Sequence, residues 1–443
     1  MTHFLASSAF RQLVLPIIYG VVIVALLPLA AGYIVLLERK VMADMQARLG
    51  PMRVGPHGLL QPIADALKLL LKEDIIPQNA DHFLFWLAPV ASVGMALLAY
   101  AALPFGPAFQ VADLNVGLLF ILGVSSLGIY GIVLGGWASN SHYSLLGALR
   151  SAAQLVSYET AAALGLVSVL VWAGSLSMKG IVQAQYDRGV WFVFYVPVGF
   201  FIYLVGSIAE TNRAPFDLPE AESELVAGYM TEYSGFRWAL YFLAEYANVI
   251  VVAGVATTVF LGGWLRPFAG FQDHFPGTSI ELLDFLPTLL FLVAATFCFR
   301  LIPRQPVKIQ KHVMAGLAAL CVFLAAAMFG ALFAPPAVMA GIHGAFWFLA
   351  KVAAYVYVFL WFRFTFPRYR FDQLMRLGWR FLIPLSLVNV IGAAIAVALS
   401  EQWGLPPVVS VVITLAATIG VALWLAASDD KPASATAPVA HGD

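Results

Sequence analysis

Long apolar stretches alternate with polar segments throughout this sequence of 443 residues. A helix that crosses a membrane needs about 20 mostly apolar residues, whereas a transmembrane barrel shows shorter segments of alternating polarity. The lengths of the stretches therefore predict an all-α polytopic membrane protein with about 11 transmembrane helices. The predicted spans are 13–37, 83–103, 116–136, 152–173, 190–209, 239–264, 285–302, 313–334, 344–366, 381–400 and 405–427.

Two of the predicted spans, 285–302 and 313–334, are separated by only a short basic turn. The pair fits either two full crossings or a shallow hairpin. Two crossings return the chain to the same side of the membrane, so the pair does not change the orientation of the spans that follow it.

The segment between the first two spans contains a pattern typical of a helix that lies on a membrane surface. Apolar and polar residues occupy opposite stripes at helical spacing, and Pro62 suits the first turn. The apolar stripe consists of Leu60, Ile63, Leu67, Leu70 and Leu71, and the polar stripe of Gln61, Asp65, Lys68 and Lys72. The spacing alone fits a plain cytoplasmic anchor helix as well as a wall of a portal for an amphiphilic ligand.

Arg48 and Arg53 precede this amphipathic segment, and each lies next to a Gly-Pro turn. Their guanidinium groups are suited to bind the carboxylates of a partner protein or a polar headgroup. The turns therefore predict a contact surface beside the amphipathic helix.

The composition of the chain excludes several classes of function. Hydrophobic residues make up 61% of the chain and charged residues 11%, against about 25% charged residues in soluble domains. The formal net charge is zero, so the chain has no basic field for nucleic acid. The two cysteines, Cys298 and Cys321, form no CxxC pair, which excludes a Cys-ligated iron–sulfur cluster. The His residues show no pair at i, i+4, so we predict no metal site and no catalytic metal.

Positive charges are distributed unequally between the two predicted sides of the membrane. All but five of the 24 Lys and Arg residues fall on the side that holds the loop 38–82. Because cytoplasmic loops carry such an excess, we predict that 38–82 and 210–238 are cytoplasmic and that the N-terminus is outside. The composition of 428–443 predicts a disordered tail.

The segment 135–150 is small, polar and rich in glycine, and we interpret it as a cytoplasmic loop. Glycine permits close approach of two backbones, so the segment fits a contact with another chain. A flexible connector explains the same composition equally well.

A second cytoplasmic segment, 209–238, is unusually acidic. Its acidic residues are Glu210, Asp217, Glu220, Glu222, Glu224 and Glu232. Asp217 and Glu220 have the spacing of a helix capping box, with Pro219 in the first turn, so capping accounts for these two. It accounts for neither Glu222 nor Glu224.

Glu159 and Glu245 fall inside predicted spans. An ionisable residue at the centre of a span costs about 2.5–3.5 kcal/mol on insertion scales, so such residues are usually functional. Carboxyl groups that lie close together can hold and release protons. We therefore predict a hydrated proton path. The alternative is that each acid pairs privately with Lys351 or an arginine.

Four stretches of this sequence resemble the H subunit, the quinone-binding membrane subunit, of proton-pumping NADH:quinone oxidoreductase, respiratory complex I. They are RLGPMRVGPHGLLQPIADALKL (48–69), GGWASNSHYSLLGALRSAAQLVSYE (135–159), ETNRAPFDLPEAESELVAGY (210–229) and FPRYRFDQLMRLGW (366–379). The similarity covers residues 13 to about 270 and 344 to about 395. The acidic stretch is the most specific of the four.

The resemblance implies a translocase subunit of the cell inner membrane that binds a quinone such as ubiquinone and has no redox centre of its own. FMN and iron–sulfur clusters are then expected in partner subunits, which would be soluble quinone-module subunits and antiporter-like membrane subunits. It implies a quinone cavity that is lined by Glu38, Arg39, Arg48, Arg53, Asp65, Lys68, Arg213, Phe216, Asp217 and Glu220. It implies a proton path through Glu159, Glu210, Glu220, Glu222, Glu224 and Glu245.

The chain departs from the family pattern, which has eight spans. We predict a family-like core at 1–270, an inserted pair of helices at 271–343, family-like spans at 344–400, an extra helix at 401–427 and the tail at 428–443. The extra spans are expected to pack at the periphery.

Three other functions compete with this interpretation. A related subunit of an energy-converting hydrogenase or formate-oxidising complex would carry a looser version of the acidic stretch. A stand-alone secondary transporter usually shows two similar halves, and none is evident here. A structural scaffold would not need Glu159 and Glu245 in its spans.

Overall fold

The computed structural model describes residues 14–107, 109–217, 227–267, 282–303 and 308–429. Within these ranges the regular structure is helical and contains no strand. Among the described residues, ten helices are long and apolar enough to cross a membrane, which confirms the predicted all-α polytopic architecture. The helices are α1 (Leu15–Met45), α2 (Gln61–Leu71), α3 (His82–Ala99), α4 (Gly117–Ala138), α5 (His142–Ala173), α6 (Met178–Arg188), α7 (Phe192–Tyr195), α8 (Pro197–Glu210), α9 (Gly235–Phe260), α10 (Leu286–Leu301), α11 (Lys308–Ala331), α12 (Pro336–Thr365), α13 (Phe371–Arg376), α14 (Ile383–Glu401) and α15 (Pro407–Asp429).

Contacts between helix ends define the sides of the molecule: the residue before α3 bonds to the last residue of α4, and Glu38 near the end of α1 pairs with Arg363 near the end of α12. We call the side on which α1 ends and α5 begins the loop side. It holds the segments 46–60 and 211–217.

The predicted span 190–209 is not one continuous helix. It is divided into α7 and α8 at Val196, whose φ of −134° and ψ of 60° lie outside the helical region. Pro197 explains the division, because a proline ring disfavours helical conformation in the preceding residue. The 14 residues of α8 correspond to roughly 21 Å at about 1.5 Å per residue, less than the roughly 30 Å of a hydrocarbon core.

The first span extends beyond its predicted end at residue 37. α1 continues to Met45, so Glu38 lies inside a helix and not at the start of a loop. Its side chain is buried. The extra turns keep a carboxylate on the helix face that packs against the core.

The prediction of a loop at 135–150 was wrong. α4 ends at Ala138 and α5 begins at His142, so most of this segment is helical. The glycines allow helices of the same chain to approach one another. A Cβ atom on Gly135 would collide with the Tyr241 hydroxyl, and one on Gly136 with the side chain of Ala148. The expected close approach therefore occurs within the chain.

Replacement of Gly147 by alanine is expected to destabilise the fold by about 1–3 kcal/mol, as overpacking does. The added Cβ atom would lie 2.6 Å from Cα of Gly228 and 2.9 Å from the backbone N of Tyr229. Both are main-chain atoms, so relief requires a shift of the backbone. A lower thermal denaturation midpoint of the purified protein in detergent would show the effect.

Gly123→Ala in α4 is the matched control, because nothing lies within 4 Å of a Cβ atom added there. Equal midpoints for the Gly147 and Gly123 variants would contradict the steric explanation.

The predicted amphipathic helix is confirmed as α2, with Pro62 in its first turn. Its apolar side chains are exposed, including Leu67 at 53% and Leu70 at 57%. α2 packs against α1 and α9. This arrangement suits a helix at the membrane surface beside the loop side.

α5 and α9 are the most buried of the membrane-length helices that the structure describes. α5 packs against both α8 and α14, and α8 also packs against α9. The largest fully buried side chains include Tyr158, Tyr229 and Tyr241. Polar hydroxyl groups are therefore carried deep into an otherwise apolar bundle.

α10, α11 and α15 lie at the edge of the bundle. α10 and α11 pack against each other, and α15 packs against α14. The ring of Phe285, just before α10, lies 6.3 Å from that of Phe329 in α11. Many of their large apolar side chains are exposed, such as Phe297, Phe323 and Trp424. Such surfaces face lipid or a partner in the membrane.

Candidate functional site

A polar cavity lies between α3, α4, α5, α8 and α9 and brings together three of the acids that the sequence singled out. Glu159, Glu210 and Glu245 all line it. The volume that water centres can occupy is about 50 Å³, enough for several water molecules at roughly 10–15 Å³ each. Ser92, Ser125 and Asn248 add further polar groups to its wall.

Glu245 forms a buried ion pair on one wall of the cavity. The Nη2 atom of Arg213 lies 2.6 Å from Oε2 of Glu245, and the Tyr229 hydroxyl donates to Oε1 at 3.0 Å. The Arg213 guanidinium also lies 4.6 Å from the centre of the Tyr246 ring. The alternative that an acid pairs with an arginine is therefore correct for Glu245. The pair joins the turn after α8 on the loop side to the cavity wall.

The two other acids of the cavity are held differently. The Ser126 hydroxyl donates to the Glu159 carboxylate, and Ser125 lies beside Glu210 in the cavity wall. Neither acid forms an ion pair with any residue that the structure describes. The alternative of private ion pairs therefore does not account for Glu159 and Glu210.

The turn that follows α8 positions Arg213. Asn212 has a left-handed φ of 51°, which Asn tolerates better than most residues. Its amide donates to the Ser151 hydroxyl at 3.1 Å. Thr211, Asn212 and Arg213 are all buried, so the turn lies inside the protein.

Glu38 lies in a second buried cluster, next to the first. Its carboxylate accepts hydrogen bonds from Arg363 of α12 and, at 2.7 Å, from the Tyr246 hydroxyl of α9. Tyr246 contacts both Glu38 and Arg213, so this tyrosine links the two buried ion pairs.

Arg39 and Asp65 connect α1 with the amphipathic helix α2. Their side chains form an ion pair of 2.7 Å, and Gln61 donates to the other Asp65 oxygen at 2.8 Å. Both side chains are partly exposed, so the pair fixes the orientation of α2 more than it stabilises the fold. Among the residues predicted to line the cavity, Arg48, Arg53 and Lys68 are exposed on the surface.

Phe216 is enclosed by aromatic rings. Its ring lies 5.5 Å from that of Tyr158 and 5.7 Å from that of Tyr369. Its carbonyl accepts a hydrogen bond of 2.8 Å from the buried Gln154 amide. The neighbouring Asp217 is buried and lies 3.4 Å from Arg368. The segment is held by α5 and by the residues before α13.

Glu220, Glu222 and Glu224 lie outside the described residues, as does the proposed capping box of Asp217 and Glu220. The predicted tail 428–443 lies outside them from residue 430 onward.

Several residues of the site could not be predicted from the sequence. Tyr229, Tyr246 and Ser126 each bind one of the acids, and Arg363 binds Glu38. Only the charge of Arg363 inside the predicted span 344–366 gives a signal, and the charge distribution assigns it to the cytoplasmic end. Tyr and Ser are common in apolar helices, so nothing in the spacing distinguishes them.

Lys351 does not pair with an acid among the described residues. Its Nζ donates to the carbonyl oxygens of Leu261, Gly263 and Leu265 at 2.5–3.0 Å. In the described part of the chain, no group of three or more His, Cys, Asp or Glu residues is arranged to hold a metal ion.

A family model and several known proteins match most of this chain. A family model described as NADH dehydrogenase matches residues 17–394. An NADH-quinone oxidoreductase H subunit of Solibacter usitatus is 55% identical over 394 residues, which is 87% of this chain and 97% of that protein. The corresponding protein of Koribacter versatilis is 52% identical, over 85% of this chain and 90% of that protein. That of Geobacter metallireducens is 42% identical, over 84% and 92%.

α15 begins after the last residue that the family model matches, whereas the cavity and both buried ion pairs lie within the matched range. With a match over most of its length and relatives this similar, the chain belongs to the NADH dehydrogenase family, together with the H subunits of NADH-quinone oxidoreductases.

Proposed function

We propose that this chain is the membrane subunit of a proton-translocating NADH:quinone oxidoreductase, in which it helps to form the quinone chamber and couples quinone reduction to proton translocation. The names of the relatives favour this complex over a hydrogenase or a formate-oxidising complex. The observation that carries the coupling role is the polar cavity that joins Glu159, Glu210 and Glu245.

The quinone headgroup would enter from the loop side. The Arg39–Asp65 pair lies where α1 meets α2, and the buried segment of Phe216 and Asp217 lies deeper in the protein. The exposed apolar side chains of α1 and α2 offer walls for an isoprenoid tail. Polar groups that are already paired across different helices are preorganised for a ligand.

Arg213 connects the proposed quinone chamber with the acidic cavity. It pairs with Glu245 in the cavity wall and contacts Tyr246, whose hydroxyl binds Glu38. Reduction of a quinone to a quinol consumes two electrons and two protons, so it changes charge and protonation nearby. A change near Glu38 or Asp217 alters the electrostatic energy of the Arg213–Glu245 pair, and through it that of the cavity acids.

Proton movement within the cavity requires only groups that are already there. Glu159 and Glu210 can each bind and release a proton, no fixed cation lies beside them among the described residues, and the cavity has room for connecting water. A proton can pass from one carboxyl group through water to the other. From there, the family resemblance implies a relay to antiporter-like membrane subunits.

The proposed setting is the cell inner membrane, with the loop side in the cytoplasm and the N-terminus outside. On that side the chain would contact the soluble quinone-module subunits, which carry FMN and iron–sulfur clusters. The basic surface residues Arg48, Arg53 and Lys68 suit a contact with acidic groups of those partners.

We expect a photoreactive quinone analogue, added to membranes that contain the assembled complex, to label the segments 38–72 or 210–224. Residues 46–60 and 211–217 of these segments belong to the loop side, where the proposed chamber opens. Peptide mass spectrometry would locate the label, and an excess of ordinary quinone is expected to suppress it. Labelling confined to α10, α11 or α15 would refute the chamber. Copurification of flavin and iron–sulfur subunits tests the assignment to the complex independently.

A further inference from the structure

One face of α12 carries polar side chains through the middle of the bundle. Lys351, Tyr355 and Arg363 fall on one stripe of four-residue spacing, which Phe359 completes. Lys351 and Tyr355 are buried, and Arg363 is mostly so. The stripe extends roughly 18 Å along the helix axis at about 1.5 Å per residue. Charged side chains in a span are costly enough to need a role beyond packing.

The Lys351 end of the stripe lies far from the loop side. There the chain turns after α9 through Gly262 and Gly263, which have φ values of 77° and 54°. The turn surrounds the Lys351 ammonium with the three carbonyl oxygens already described, and the Trp191 ring lies 4.5 Å away. A charged group is thus stabilised at the end of α9, where carbonyl groups favour a cation.

The middle of the stripe reaches α8. The Tyr355 hydroxyl lies 2.8 Å from the Ser207 hydroxyl, and both side chains are buried. Ser207 also donates to the Leu204 carbonyl at 2.8 Å, so in that arrangement Tyr355 is the donor to Ser207. The pair is therefore an ordered two-hydroxyl chain.

This hydroxyl pair adjoins the acidic cavity. Tyr203, Ser207 and Glu210 follow the i, i+4, i+7 spacing and so share one face of α8. Glu210 lies one turn from Ser207 on this helix and lines the cavity. The pair thus extends the polar surface of the cavity by one helical turn away from the loop side.

Two phenylalanine rings close the far end of the pair. The Phe200 ring lies 6.3 Å from that of Tyr355, the Phe260 ring lies 5.8 Å from that of Tyr203, and the two Phe rings are 5.4 Å apart. Both phenylalanines are farther from the loop side than the tyrosines that they contact. They form an apolar boundary at that end of the pair.

On the basis of the proposed function, we propose that α12 supplies a second branch of the proton path, which runs across the membrane from Glu210 through the Tyr355–Ser207 pair toward Lys351. The oxygen of Tyr355 accepts the proton that leaves Glu210 while Tyr355 releases its own proton to Ser207. Once its hydrogen bond to the Leu204 carbonyl breaks, the Ser207 hydroxyl releases its own proton to water on the Lys351 side of the pair. That water exchanges it with the Lys351 ammonium, which releases one proton for each that it gains. Rotation of the hydroxyls restores the chain.

Tyr355→Phe tests the branch, because it removes one oxygen and leaves the ring. In proteoliposomes that contain the intact complex, we expect the number of protons translocated per NADH oxidised to fall by roughly a factor of two, since one route loses a proton-carrying group. Tyr357→Phe is the control, because Tyr357 lies on the same helix but is 50% exposed. Equal ratios for the Tyr355 variant and the parent complex would overturn the proposal.

Ser207→Ala serves as an independent variant with the same expected result, and it tests the branch even where Tyr355→Phe fails to assemble. A purely structural role would lower the denaturation midpoint of either variant without changing its proton-to-NADH ratio. Glu210→Gln separates the two proposals. A normal ratio in this variant counts against the proposed function. A defective Glu210 variant beside normal Tyr355 and Ser207 variants counts against the branch alone.

Discussion

Replacement of Glu159 by glutamine is expected to abolish quinone-linked proton translocation while the complex still assembles. Glutamine has nearly the same shape and can still interact with Ser126, but it cannot release a proton. Because Glu159 lines the cavity without a cation beside it among the described residues, its role in proton transfer has no evident substitute. A positioned proton carrier contributes roughly 10²–10⁴-fold to a transfer rate, so we expect loss of at least about tenfold.

The measurement is proton uptake into inverted membrane vesicles, recorded together with NADH oxidation. Glu401→Gln is the matched control, because Glu401 is exposed at the end of α14, away from the cavity. We expect this variant to translocate protons normally. Normal translocation in the Glu159 variant as well would remove the cavity from the proton path.

Replacement of Arg213 by methionine is expected to produce the largest loss of stability, about 3–5 kcal/mol, which is typical when one partner of a buried ion pair is removed. The side chains of Arg213 and Glu245 are only 6% and 9% exposed. Methionine leaves the Glu245 carboxylate in the protein interior without the cation that lies 2.6 Å away. We expect a lower denaturation midpoint of the purified complex and a smaller amount of this chain in the membrane.

The double variant Arg213→Met with Glu245→Gln provides the decisive comparison. A neutral pair of similar size removes the uncompensated charge, so we expect much of the lost stability to return. Tyr229 can still bind the glutamine side chain through its hydroxyl. A double variant as unstable as the single one would mean that Arg213 acts through packing alone.

The spans were predictable because their length and composition are local properties. Pro197 shows where this fails, since hydrophobicity alone predicts one continuous span at 190–209. The end of α1 shows a different failure. Glu38 and Arg39 signal a loop by charge, yet Glu38 is retained in a buried helix by Arg363 and Tyr246, which are distant in sequence.

The glycines at 135–150 suggest a loop because composition does not reveal what packs against them. In the structure, the Tyr241 hydroxyl and the Ala148 side chain occupy the space that a Cβ atom would need. The same limit applies to the cavity. The sequence identified Glu159, Glu210 and Glu245 as unusual, but their convergence depends on which faces of α5, α8 and α9 meet.

The short length of α8 has a consequence for the surrounding lipid. A helix of roughly 21 Å is shorter than a hydrocarbon core of roughly 30 Å, so α8 crosses such a core only together with the preceding α7. The irregular turn at residues 211–213 ends this span, and irregular backbone near a hydrocarbon core is tolerated only inside protein. Its residues are buried. The immersion depth of Glu210 is thus fixed by its protein surroundings. Bilayers of longer or shorter acyl chains are expected to change the tilt of the lipid-facing helices at the rim and to leave that carboxyl group at its level.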